Sequence, residues 1–126
     1  TSPSVGCLQE RAAWAADLVV VPVATEFSSL DSLKKTIAML RSLYEDKGWK
    51  GGLLGILPTF YDDQTRESRS SLDDLKRQYH HLVLSPIHRA TVLRECWAEG
   101  QTIFEKDPAC RAAQEYQSLV DRILRY

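Results

Sequence analysis

Four groups of residues in this chain could do chemistry by type, and spacing decides among them. Cys7, Cys96 and Cys110 are candidate nucleophiles, with His80, His81 and His88 as candidate bases. No CxxC pair exists, no Cys/His cluster has zinc-ligand spacing, and no local motif joins a cysteine to a histidine. The cysteines therefore read as small buried hydrophobes of a reducing compartment. Asp62-Asp63 could offer oxygen ligands to a cation, but no third ligand is evident, and loop aspartates commonly bond their own backbone in turns. Asp73-Asp74 fits the first turn of a helix. Gly51-Gly52 is followed by Leu53, whereas a phosphate-cradling loop needs a lysine and a hydroxyl after its glycines, so the pair reads as a turn before a strand. Lys76, Arg77, His80 and His81 form a basic cluster suited to the C-terminal end of a helix, where cations meet the negative end of the dipole. On this reading no catalytic residue and no metal ligand is assigned.

Composition narrows the field further. The 126 residues correspond to a single domain, with 44% hydrophobic and 26% charged residues, a globular mix. Sixteen basic against 17 acidic residues leave a net charge of −1, so any nucleic-acid contact must come from a local patch and not from the overall field. No apolar run approaches the ~18 residues that span a bilayer. The first ten residues lack a charged segment followed by an apolar one, so no secretory signal is read.

The elements that would position these residues alternate. Gln9 to Ala16 predicts a short helix, and Leu18-Val19-Val20-Val21-Pro22-Val23 a strand buried on both faces. Ser28 and Asp31 stand at capping-box spacing before a helix whose apolar stripe is Leu30, Leu33, Ile37, Leu40 and Tyr44, with Gly48 as its stop. Leu53 to Leu57 predicts a second buried strand, completing a βαβ unit. Thr59 to Arg69 reads as a loop, and Ser71 as the start of a helix with Leu72, Leu75 and Tyr79 on one face. Leu82-Val83-Leu84 predicts a third strand, and Ile87 to Thr91 a crossing loop. Val92 to Glu99 predicts a helix closed by Gly100, and Thr102 to Phe104 a stub of extended chain. Asp107-Pro108 predicts the start of the last helix, whose stripe is Ala112, Tyr116, Leu119, Val120 and Ile123.

Three segments carry a family likeness when taken in order. The first is Thr1-Ser2-Pro3-Ser4-Val5-Gly6, with Ala15-Ala16-Asp17-Leu18-Val19-Val20-Val21-Pro22-Val23 and Glu26. The second is Leu54-Gly55-Ile56-Leu57-Pro58-Thr59-Phe60-Tyr61-Asp62. The third is Ile87-His88-Arg89, then Glu95, Gly100, Ile103, Asp107-Pro108, Ala112-Ala113 and Tyr116. Together they resemble the ParA-type partition ATPases, the deviant-Walker group that includes MinD. The resemblance implies an α/β fold, a three-layer P-loop-NTPase-like parallel sheet with flanking helices. Members of that group open with a Gly-rich loop and lysine that hold phosphates, and these 126 residues contain no GxxxxGK[ST] or related pattern. The expectation is therefore one partial domain over residues 1–126, the C-terminal half of such a domain, beginning just after the family's switch aspartate. The strand at Val19–Val23 would then have an uncovered apolar edge, and a second copy or a rearranged segment is expected to cover it.

The same resemblance implies sites. The adenine would sit between the loop after the second strand, at Thr59 and Phe60, and the loop after the third, at Ile87, His88 and Arg89. His88 stands where the family has proline, and an ordinary solvated loop histidine is an equal reading. Non-specific DNA contact would fall to Arg66, Arg69, Arg89 and Arg94, since the aligned family arginines are Gln64 and Val92 here. ATP and Mg²⁺ are the cofactors of the family, and neither is expected to bind this chain tightly by itself. The expected partners are DNA, a ParB-like protein and a second copy in a homodimer. The expected location is the cytoplasm, on the nucleoid. The last helix, with Arg122 and Arg125, is too polar and short for a MinD-like membrane tail and reads as a packing helix. ATP hydrolysis is not expected of the isolated chain. The alternative function is a stand-alone α/β protein-interaction module that binds no nucleotide.

Overall fold

The computed structural model describes residues 7–25 and 30–126. The Thr1–Gly6 segment, Glu26 and the Ser28 cap lie outside the described residues, as does the Cys7 side chain. Helix α1 (Cys7–Ala15) leads into strand β1 (Leu18–Ala24), helix α2 (Leu30–Asp46) and strand β2 (Gly52–Thr59). Helix α3 (Arg66–Tyr79), a 3₁₀ turn (His80–Leu82), α4 (Thr91–Glu99), α5 (Ile103–Lys106) and α6 (Arg111–Leu124) follow. Strands β1 and β2 are parallel, in register from Leu18↔Gly52 to Ala24↔Thr59, with an irregularity between Val19 and Val20. This is the βαβ unit predicted from the apolar runs, because parallel strands need a crossover helix between them.

The core explains the order of elements. Leu33, Met39, Leu40 and Leu43 of α2 pack with Val21 of β1, Ile56 of β2, Ala13 of α1 and Leu75 of α3. Ile56 is fully buried and Leu75 nearly so, both within this cluster. Trp49 is buried in the same cluster, and its Nε1 donates to the Ala16 carbonyl at 3.0 Å, locking the turn before β2 to the end of α1. Gly48 takes φ 68°, a conformation that glycine adopts without a Cβ penalty, and so ends the α2 segment as expected. A second cluster, Cys96, Ile103, Ala112 and Ala113, joins α4, α5 and α6.

Four local expectations are corrected. The third strand exists only as single parallel bridges, Ile56↔Val83 and Tyr61↔His88. Residues 80–82 turn in a 3₁₀ helix, and Pro58 and Pro86 lack the N–H groups that a continuous ladder would use there. Helix α3 begins at Arg66 and not near Ser71, because the Thr65 side chain accepts the Ser68 N–H as its N-cap. Thr102 to Phe104 is not extended: Thr102 and Glu105 form a reciprocal capping box that starts α5. Asp107-Pro108 does not start α6. It forms a turn closed by the Cys110 N–H on the Asp107 carbonyl, and the Cys110 Sγ caps α6 by accepting the Ala113 N–H. Cys96 is buried and Cys110 half-buried, and neither is in a disulfide.

Among the described residues, β1 pairs with β2 alone, and no described strand pairs with its other edge. An open cleft of about 680 Å³ runs along that edge between α1 and α2, lined chiefly by Leu18 to Ala24 with Ala13, Leu33 and Met39. No described helix is long and apolar enough to cross a membrane.

Candidate functional site

The candidate residues gather where the parallel strands end at their carboxyl side, the position at which open α/β sheets bind ligands. Two loops meet there. The Tyr61 N–H donates to the Ile87 carbonyl at 3.1 Å, the Arg89 N–H to the Tyr61 carbonyl at 2.8 Å, and the Ile87 N–H to the Pro58 carbonyl at 2.9 Å. The loop after β2 is thereby stitched by backbone bonds to the loop carrying Ile87, His88 and Arg89. Of the five residues expected to face the base, Thr59 ends β2 and the other four lie on these two joined loops.

Their side chains differ in what they can offer. Phe60 is 53% exposed and holds φ 52°, a left-handed conformation that an aromatic residue adopts only when its surroundings impose it. It leaves a flat apolar face at the mouth of the two loops. Thr59 is half-buried, and its carbonyl is taken by both the backbone N–H and the Oγ1 of Thr25. Ile87 is buried, so its side chain belongs to the core. His88 is not a solvated loop histidine. Its N–H donates to Glu115 Oε1 at 3.0 Å, its Nδ1 meets Glu115 Oε2, and its ring stands edge-on to Tyr61 with centroids 5.1 Å apart. Arg89 is exposed.

A buried polar network holds the other side of the site. Thr25 is fully buried at the end of β1, and its Oγ1 lies 3.2 Å from the Oγ of the buried Ser68 on α3. The Ser68 Oγ in turn accepts the Asp62 N–H at 3.2 Å. These bonds tie the first turn of α3 to both strand ends, because buried hydroxyls and amides must find partners. That turn presents Arg66 and Arg69 to solvent. Arg69 Nη1 donates to the Asp63 carbonyl at 2.9 Å. Arg66 sits in the first turn of a helix, where the macrodipole disfavours a cation, so helix stability does not account for its place. Arg94 lies on α4, a separate element, also exposed.

Asp62 and Asp63 build the turn and offer no cage. Asp62 Oδ1 accepts the Gln64 N–H and Asp63 Oδ1 the Gln64 side-chain amide. Among the described residues no three His, Cys, Asp or Glu converge as metal ligands. Thr25, Ser68 and Glu115 were not singled out by sequence reasoning. Thr65-x-x-Ser68 was readable as a cap, but nothing local connects Glu115 to His88, 27 positions earlier.

No protein-family model matches the chain. The cell division protein PomZ of Myxococcus xanthus is 29% identical over 123 residues, 97% of this chain and 39% of PomZ. The chromosome-partitioning ATPase Soj of Thermus thermophilus is 30% identical over 123 residues, 97% of this chain and 49% of Soj. Among solved structures, cobyrinic acid a,c-diamide synthase of Mycobacterium smegmatis with bound ADP and magnesium superposes with a TM-score of 0.72 at 26% identity, over 98% of this chain and 43% of that one. The chain thus spans half or less of the relatives it matches. Along nearly its whole length the chain is similar to partition ATPases of the ParA type, and its α/β fold is of the P-loop type.

Proposed function

We propose that residues 1–126 are the C-terminal portion of a ParA-type ATPase domain that supplies the base-side wall of the nucleotide site and a DNA-facing surface. The observation that carries this reading is the backbone stitching of residues 60–62 to residues 87–89 at the carboxyl ends of parallel strands. The 53% exposure of Phe60 supports a role for its ring in stacking on an adenine. The chain's own residues fit the base end of a nucleotide and not its phosphates, since no Gly-rich loop with lysine occurs in the sequence. ATP phosphates and Mg²⁺ are held by the rest of the protein, and a strand from there pairs with the open edge of β1. The bound ADP and magnesium of the structurally similar synthase support that assignment of ligand. When bound, the ion neutralises charge on the phosphates.

In the complete protein ATP drives dimerisation, and the dimer binds DNA without sequence preference through Arg66, Arg69, Arg89 and Arg94. A ParB-like partner stimulates hydrolysis, and the protein works in the cytoplasm on the nucleoid during plasmid or chromosome partition. The lengths of the relatives support a whole protein at least twice this size. A mobility-shift titration of the whole protein with ATP at low salt tests the reading. Salt-sensitive DNA binding that weakens in Arg66→Ala and Arg94→Ala is expected, because each lost phosphate contact lowers the salt slope by about one. No binding at low salt, with the protein folded and ATP bound, refutes it in favour of a protein-interaction module.

A further inference from the structure

A second cleft, of about 270 Å³, lies between the segment after the 3₁₀ turn and the last turns of α6. Its polar lining is His81, Ser85, Glu115, Ser118, Arg122 and Arg125. Arg122 stands in the last turn of α6 and Arg125 at its C-cap, three positions on, and both line the cleft, where like charges repel. Among the described residues neither has a carboxylate at ion-pair distance. Arg125 Nε donates to the Asp121 carbonyl, which leaves its terminal N–H groups uncommitted. Glu115 is the one carboxylate lining the cleft, and both its oxygens are engaged by His88. The two guanidinium groups outnumber that one carboxylate, so the cleft keeps a net positive charge where they converge. A helix C-terminus tolerates its own arginines, but here an imidazole and a serine hydroxyl come to the same cleft from a different element.

We propose that this cleft binds a small oxyanion of the phosphate class. The guanidinium fork matches phosphate oxygens bidentately, and hydroxyl and imidazole N–H groups complete the donors. The volume sits just below the usual range for organic ligands, about 300–1,000 Å³, which suits a free phosphate or a small phosphomonoester better than a nucleotide. The cleft shares Glu115 with the base-side loop, through His88, and includes none of the four DNA-facing arginines.

Inorganic phosphate titrated into the protein at constant ionic strength tests this, with ¹H–¹⁵N spectra following Ser85, Ser118 and the Nε–H groups of Arg122 and Arg125. Saturable shifts centred on those residues are expected. Arg122→Gln and Arg125→Gln should each weaken binding about tenfold, the loss of one charge-assisted bond, with circular dichroism and melting unchanged. Shifts that grow without saturation, that chloride reproduces at equal ionic strength, or that persist undiminished in both variants overturn the proposal. A short DNA duplex that moves these resonances while phosphate leaves them in place assigns the cleft to the DNA-contacting surface and overturns it too.

Discussion

Glu115→Ala should release the base-side loop from α6. In the structure one carboxylate holds two groups of His88: Oε1 accepts the backbone N–H at 3.0 Å and Oε2 meets Nδ1. Both side chains are more than four-fifths buried, at 19% and 17% exposure, so water replaces these bonds poorly. A hydrogen bond to a charged group contributes about 1.5–3 kcal/mol when well shielded, and partial solvent access places two such bonds near 3 kcal/mol together. Alanine returns a few tenths of a kcal/mol through its helix propensity, leaving a net loss of roughly 2.5 kcal/mol. For a domain of this size that is a fall in Tm of about 8–10 °C. Glu115→Gln keeps an acceptor for the His88 N–H and should lose about half as much. Urea unfolding measures the stability, and hydrogen exchange of the Tyr61 and Arg89 amides reports the loop itself. Those two amides bond across the loops, so their protection should drop by more than the global stability does. A Glu115→Ala protein with stability within about 0.5 kcal/mol of the parent and Arg89 still protected would show that the tether does not hold the loop.

Gly55→Ala should cost more than about 2 kcal/mol, because a Cβ there would stand 2.5 Å from the Leu82 carbonyl oxygen and 2.9 Å from the Leu84 side chain. An open strand position would instead gain about 0.4–1 kcal/mol from the same change, so the sign of the shift in thermal melting decides the matter. Phe60→Gly removes the left-handed strain at φ 52° and should leave stability equal or higher by up to about 1 kcal/mol. The same variant should weaken ATP binding in the whole protein, as read by calorimetric titration. Lys106 has its pKa raised, first by its hydrogen bond from Nζ to Glu99, at 2.7 Å, and then by the charges of Glu99 and Glu95. A raised folded pKa stabilises below the ordinary lysine value near 10.4 and is lost as pH climbs through the folded value. Lys106→Gln should therefore flatten the stability-against-pH curve above about pH 10, and an unchanged alkaline slope would remove the pair from the account.

The apolar runs and their spacing determined the βαβ unit, because an uninterrupted run at residues 18–23 can be stable only with both faces covered and a helix crossing between parallel neighbours. They also located the helix faces of Leu33, Leu40, Leu72 and Leu75, since burial follows the 3.6-residue period whatever the neighbours are. Residue order along the chain was enough to carry the family likeness. Ends and interruptions were less legible. Thr65 and Cys110 each won a helix start from a stronger-looking competitor, and the Thr102–Glu105 box started a helix where extended chain was read, because capping depends on which hydrogen bonds the neighbouring loop leaves open. The third strand shrank to two bridges because two prolines interrupt the donors that a ladder needs. Only the tertiary structure decided that His88 belongs to Glu115, that Thr25 meets Ser68 across 43 positions, and that Arg122 and Arg125 share a cleft with His81. Periodicity determines which side of an element faces inward. The choice of partner for a polar group is made where distant segments close on one another, and that geometry is absent from any local window of sequence.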